Sequence, residues 1–210
     1  MSVRIRVTTD NWDEALTTAA QALRAGGLVA FPTDTVYGVG ALVFHERAVG
    51  RLYLAKIRDR TKPIPVLLSN VRDLHRIARR VPPAAWRLAG AFWPGALSLV
   101  LEKSALVPDV VTAGGPTVAV RVPDHFLALA LIERAGAPLA TTSANLSGRP
   151  SAVTADAVEE TLGDAVDVIL DGGPCLGGVA STVLDLTVSP PRIVRPGPIR
   201  WEDLAPLLMQ

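Results

Sequence analysis

The feature that most restricts the fold is a regular exchange of two hydrophobic rhythms along the chain. Val3, Ile5 and Val7 alternate with polar residues, the period of a half-buried strand. Ala15, Ala19, Ala22 and Leu23 instead recur at helical spacing between Trp12 and Ala25, with Asp10 or Asn11 as N-cap and Gly26-Gly27 as the stop. The same exchange runs to the end of the chain. Strands are predicted at 28–31, 65–68, 96–101, 117–122, 139–142, 166–170, 181–186 and 193–195, and helices at 46–56, 71–80, 84–91, 125–135, 155–162 and 202–208. Strands interleaved with helices predict an α/β sheet with helices packed on it. No Ser/Gly-rich linker, low-complexity tract or solenoid-period repeat interrupts the pattern, so residues 1–210 are expected to form a single domain.

Composition excludes several classes. Hydrophobic residues at 49% and charged residues at 20% are close to the soluble globular average, which rules out a disordered chain. A net charge of +1 sets up no global field for nucleic acid or membrane. The single cysteine, Cys175, excludes an intrachain disulfide and a cysteine-based zinc site, and fits a reducing compartment. No run approaches the roughly 18 apolar residues of a membrane span, and the N-terminal alternation is no signal peptide. A cytoplasmic protein without membrane contact is expected.

Four segments carry chemistry. Pro32-Thr33-Asp34-Thr35-Val36-Tyr37-Gly38-Val39-Gly40 follows a buried strand and gathers hydroxyls and a carboxylate at a strand end, where open sheets bind ligands. The same residue types also make an ordinary turn. Residues 47–62 hold Arg47, Arg51, Lys56, Arg58, Arg60 and Lys62 against one acid, Asp59. Such a run is either a solvated basic loop or a phosphate site, arginine binding bidentately and lysine as a point charge. The Gly-x-x-x-x-Gly-Lys-Ser/Thr phosphate loop is absent. Residues 141–151 follow a strand with six hydroxyl or amide side chains and Arg149, the makings of an anion-binding nest or of a helix-capping turn. Last, Arg121 interrupts the small apolar strand Thr117 to Val122, and Ser181-Thr182 and Arg195 add a hydroxyl pair and another isolated arginine. An arginine in such a strand lies at an edge or reaches into a cavity toward an anion. No Gly-x-Ser-x-Gly elbow accompanies Ser143, and a serine hydrolase is not expected.

Together the blocks PTDTVYGVG, KIRDRTKP, FWPGALSLVL, TVAVRVPDH, SANLSGRPS, ASTVLDL and IVRPGP, in that order, resemble the YrdC-like family, the threonylcarbamoyl-AMP synthases. The resemblance runs from the first helix through Arg195-Pro196-Gly197. It implies a twisted, largely parallel or mixed sheet, flanked by helices, around a deep basic cavity. It also implies condensation of L-threonine, bicarbonate or CO2 and ATP into threonylcarbamoyl adenylate with release of pyrophosphate, and magnesium on the ATP phosphates rather than in a protein metal site. The product would pass to a tRNA threonylcarbamoyl transferase. The family's Lys-x-Arg and Ser-x-Asn hallmark is intact as Lys56, Arg58, Ser143 and Asn145, which the resemblance makes catalytic. By the same transfer Arg58, Lys62, Thr117, Thr141, Ser143, Asn145, Ser151 and Arg195 hold ATP, with Lys56 adding charge. Thr33, Arg121, Ser181 and Thr182 hold L-threonine.

One departure stands out: Leu67 occupies a position where some relatives carry a histidine that contacts threonine. Longer relatives append a second domain and a closing linker, and a chain ending at Gln210 is expected to lack both. Two other readings attach to the same segments. One is a non-catalytic module that binds double-stranded RNA, for which KIRDRTKP offers no interleaved aromatics. The other is carbamoyl transfer from carbamoyl phosphate, which in relatives involves further domains.

Overall fold

The structure is a computed structural model describing residues 2–209. The chain opens with β1 (Val3–Arg6), α1 (Trp12–Arg24), β2 (Val29–Phe31), β3 (Gly38–Leu42) and α2 (Glu46–Ala55). It continues through β4 (Val66–Leu67), α3 (Leu74–Ile77), α4 (Pro83–Phe92), β5 (Leu97–Glu102) and α5 (Asp109–Thr112). Next come β6 (Thr117–Arg121), α6 (Phe126–Ala135), β7 (Leu139–Ser143), α7 (Ala155–Leu162) and β8 (Val168–Asp171). It closes with β9 (Thr182–Asp185), β10 (Arg192–Arg195) and α8 (Trp201–Leu208). The strands form one ten-stranded sheet in the order β1-β8-β2-β3-β7-β4-β6-β5-β9-β10.

The sheet is mixed. β1–β8, β2–β8, β4–β6 and β5–β9 pair parallel, while β2–β3, β3–β7, β4–β7, β5–β6 and β9–β10 pair antiparallel. The largely parallel half of the sequence expectation is thereby corrected. Much of the antiparallel pairing comes from β3, where the sequence predicts no strand. Its glycines hide it: a Cβ at Gly38 would lie 2.8 Å from the Thr141 side chain, and one at Gly40 2.9 Å from the Thr141 hydroxyl. Close approach to β7 therefore requires residues of low strand propensity.

The helix expected over 71–80 is also broken. A 3₁₀ turn at Val71–Asp73 leads into the single turn of α3, after which Ala78 bridges Lys103 and the Arg79 N–H donates to the Glu102 carbonyl at 2.9 Å. Sheet pairing replaces helical bonds at that point.

Two apolar layers hold the sheet. On α1 the buried residues Ala15, Leu16, Ala19, Ala20 and Leu23 form one stripe, which packs with Leu127, Leu131 and Ile132 of α6 over Val29, Phe31 and Leu139. The opposite layer collects Val118 and Val120 of β6, Leu97, Leu99 and Leu101 of β5, Val66, Ala140 and Leu184. Successive strand side chains point to opposite faces. The intervening residues Thr117, Ala119, Arg121, Ser98, Val100, Thr141, Ser143, Val183 and Asp185 therefore share the other face, and all of them line a cleft. Beyond the reach of α1 and α6 this face carries no apolar cover and becomes the floor of the site.

The two faces should respond differently to truncation. Leu99→Ala, at a fully buried position, is expected to cost about 2–5 kcal/mol in urea unfolding. Thr117→Ala, on the cleft floor and without a side-chain hydrogen bond among the described residues, should cost less than about 1 kcal/mol.

Candidate functional site

The cleft has a volume of about 650 Å³, within the range of small-molecule sites. Ten sequence-predicted residues line it: Thr33, Arg58, Lys62, Thr117, Arg121, Thr141, Ser143, Ser151, Ser181 and Arg195. They come from six separate stretches of chain. Three predicted residues, Lys56, Asn145 and Thr182, lie behind its walls.

Lys56 is the clearest case. Its side chain is 1% exposed, and its ammonium donates to the Ser143 carbonyl, the Asn145 carbonyl and, at 3.2 Å, to Asn145 Oδ1. All three ammonium hydrogens are thereby directed at protein oxygens. Lys56, expected to add charge beside the phosphates, sits in this geometry as a clamp joining the end of α2 to the 143–151 loop. The Ser147 N–H, donating to the Lys56 carbonyl at 2.9 Å, adds a backbone tie. Burial, with a smaller contribution from Arg58, brings the Lys56 amine down to about 8. Asn145 is occupied in the same clamp: its Oδ1 accepts from the Ser143 hydroxyl, and its amide donates to the Arg149 carbonyl at 2.6 Å. Thr182 is spent on Ile199, donating to its carbonyl at 2.8 Å and accepting from its N–H at 3.0 Å.

Local backbone geometry separates the two members of the Lys-x-Arg pair. Ile57 adopts φ 50°, a left-handed conformation rarely taken by a β-branched residue. The Ile57 N–H donates to Leu54 and the Arg58 N–H to Tyr53, closing α2 with a Schellman motif. Lys56 is thus buried while Arg58 reaches the cleft wall, its guanidinium braced on the carbonyls of Lys62 (3.2 Å) and Pro63 (2.9 Å).

Arg121 ends β6 and is 5% exposed. Its Nε donates to the Gly95 carbonyl at 2.8 Å, Nη1 to Thr35 Oγ1 at 3.1 Å, and Nη2 to the Asp34 carboxylate. Burial pushes the guanidinium below its ordinary pKa and Asp34 opposes that shift, yet arginine stays charged. Three of its five N–H groups are used, leaving two for a ligand. Thr33 is packed into the same network. Its hydroxyl donates to the Val36 carbonyl at 2.7 Å and accepts from the Val36 N–H at 3.3 Å. It also lies 3.0 Å from the Thr35 hydroxyl. On the far side, Arg195 donates to the Ser181 carbonyl at 2.8 Å and hydroxyl at 3.0 Å, and Ser181 Oγ lies 2.9 Å from Ser98 Oγ. Burial first, then Arg121 and Arg58, push Arg195 below its usual pKa.

Asp34, Thr35 and Ser98 were not assigned roles from sequence. The available signal was weak: a threonine two residues beyond Thr33 and one serine inside the apolar run Leu97 to Leu101.

The electrostatic result is one-sided. Arg58, Lys62, Arg121 and Arg195 line the cleft against a single lining carboxylate, Asp185. Among the described residues neither Arg58, Lys62 nor Arg195 has a carboxylate within salt-bridge distance, whereas Arg121 pairs with Asp34. Converging cations of this kind call for a polyanion.

A family model for Sua5, YciO and YrdC proteins, described as telomere recombination, matches residues 21–197. The threonylcarbamoyl-AMP synthase of Pyrococcus abyssi is 44% identical over 202 residues, covering 96% of this chain and 59% of that protein. The threonylcarbamoyl-AMP synthase of Bacillus subtilis is 45% identical over 194 residues, covering 91% of this chain and 56% of that protein. The chain therefore spans less than two thirds of the length of both. A crystal structure of P. abyssi Sua5 complexed with L-threonine superposes with a TM-score of 0.93 at 43% identity, over 99% of this chain and 60% of that one.

The clamp is testable by unfolding. Lys56→Met should destabilise the protein by about 1–3 kcal/mol, because the buried Asn145 carbonyl loses its donor, while the Ser143 carbonyl and Asn145 Oδ1 each keep one. The sign of the pH dependence follows from the lowered amine. Between about 8 and about 10.4 the unfolded chain holds a proton that the folded chain has released, so folded stability rises with pH. The gap between wild type and Lys56→Met, which has no such amine, should widen across that window in urea titrations.

Proposed function

The chain belongs to the Sua5, YciO and YrdC family, and on that footing we propose that it is a threonylcarbamoyl-AMP synthase. It condenses L-threonine, bicarbonate or CO2, and ATP into threonylcarbamoyl adenylate and pyrophosphate. The observation that carries this reading is the cleft floor, where a buried strand arginine and three cations without carboxylate partners share one cavity. Arg121 takes the threonine carboxylate, and Arg58, Lys62 and Arg195 take the triphosphate, with Thr117, Thr141, Ser143 and Ser151 as hydroxyl contacts on the nucleotide side. Ser181 stands on the threonine side.

The chemistry matches these residue types. The threonine nitrogen adds to CO2 and loses a proton, giving a carbamate; starting from bicarbonate, one water also leaves. A carbamate oxygen then attacks the α-phosphorus, and pyrophosphate departs with the electron pair of the broken P–O bond. Neither step needs a protein nucleophile. Positioning and charge stabilisation accelerate both, and these are what fixed arginines and backbone-braced loops supply.

Magnesium fits this donor set as part of the nucleotide. Among the described residues no three His, Cys, Asp or Glu side chains group to hold a metal, and the lining offers one carboxylate. Phosphate oxygens and water would be the main ligands, and the ion would supply further neutralisation of the phosphates. No helix among the described residues is long and apolar enough to cross a membrane. We place the enzyme in the cytoplasm, handing its adenylate to a transferase that modifies tRNA. Duplex RNA as the principal ligand suits the geometry less well, because the cations line a cavity rather than spread along an outer surface.

Pyrophosphate release by the pure protein should require ATP, L-threonine and bicarbonate together. Release without threonine, or none with all three, would refute the reading. Arg58→Ala should raise KM for ATP, and Arg121→Ala should raise KM for threonine, each on the order of tenfold or more, as expected for loss of a charge-assisted hydrogen bond. Steady-state kinetics with each substrate varied in turn measure both.

A further inference from the structure

Ser98 has the environment of a ligand contact. Its side chain is 1% exposed, it lies on the cleft floor, and its one hydrogen-bond partner among the described residues is Ser181 Oγ, at 2.9 Å. Counting hydrogens shows what this leaves over. The two hydroxyls own two hydrogens, and the bond between them consumes one. Arg195 donates to Ser181 Oγ at 3.0 Å, so it takes up an acceptor site and removes no hydrogen. Whichever serine donates to the other, one O–H stays without an acceptor among the described residues. A buried donor left unmade is costly, and a bound oxygen atom would recover it.

Sheet register says which oxygen. Leu99 pairs with Val120 in the antiparallel β5–β6 ladder, which sets Ser98 abreast of Arg121 on one side. On the other side the parallel β4–β6 register pairs Leu67 with Arg121. Arg121 is thus flanked by an apolar side chain on one neighbouring strand and by Ser98, one of the hydroxyl pair that holds the spare donor, on the other, about 4.8 Å away in each direction. An amino acid whose carboxylate sits on Arg121 presents its β-carbon between these flanks. If that carbon bears a methyl group and a hydroxyl, the two branches match the two flanks.

We infer that Ser98, acting with Ser181, is a specificity-determining residue that donates to the side-chain hydroxyl of the amino-acid substrate, while Leu67 packs against its methyl group. The inference rests on the proposed placement of that amino acid at Arg121. It also explains how the site reads a hydroxyl although position 67 is leucine.

The test compares L-threonine with its isostere L-valine, by pyrophosphate release and by calorimetric binding, in wild type, Ser98→Ala and Ser98→Cys. Cysteine keeps nearly the volume but is a weak donor. Wild type should favour threonine strongly. Ser98→Ala should lower kcat/KM for threonine on the order of tenfold or more, leave valine and the KM for ATP nearly unchanged, and so collapse the threonine-to-valine ratio. Ser98→Cys should fall between. An unchanged ratio in both variants, or parallel loss of threonine and valine, overturns the role of Ser98 while leaving the synthase reading intact. Wild type that neither binds nor uses threonine overturns both.

Discussion

Everything at this site depends on one buried ammonium. Lys56 lies where α2 ends and reaches across to the carbonyls of Ser143 and Asn145, more than eighty residues further along the chain. Burying a cation is costly, and three oxygens aimed at its hydrogens offset that cost. The arrangement gives the cleft two walls at a fixed separation. Arg58 and Lys62 hang from the first and Ser143 and Ser151 from the second, so a ligand touching both meets a preorganised site. Backbone strain at Ile57 belongs to the same design, since the left-handed turn lets neighbouring Lys56 and Arg58 take up opposite roles.

The floor between the walls follows from strand periodicity. Every strand under the cleft commits one face to the core, where Val118, Val120, Leu97, Leu99 and Leu101 lie. The other face is released for chemistry. A rigid sheet holds Arg121, Ser98 and Thr141 more firmly than loops could, and small residues such as Gly38 and Ala119 keep the floor open. Arginines dominate because they stay charged in a site that pushes Arg58, Arg121 and Arg195 below their ordinary pKa values.

Much of this is legible in the sequence, for identifiable reasons. The segment Thr117 to Val122 shows its alternation openly, and both its buried valines and its arginine fall on the faces that periodicity assigns. Basic and polar blocks at 56–62 and 141–151 are visible as unusual clusters, and the structure brings them to one cavity. What escapes is information held in pairs of distant residues. Nothing near Lys56 announces that its hydrogens are spent on residues 143 and 145, and nothing near Thr182 announces Ile199. The strand β3 escapes because its glycines serve a close contact with Thr141 rather than local propensity. Ser98 escapes because one serine in an apolar strand carries no period of its own.

In the proposed site Lys56 holds the walls together without touching the nucleotide, whereas Lys62 touches it. With only three lysines in the chain, side-chain ammonium resonances can be assigned individually. Proton–nitrogen spectra of the lysine NH3+ groups, recorded with and without ATP, test the claim directly. A slowly exchanging Lys56 signal is expected to keep its shift when ATP is added, while Lys62 moves. A Lys56 signal that exchanges freely in the absence of ATP, or that shifts as phosphate arrives while Lys62 stays put, would contradict it.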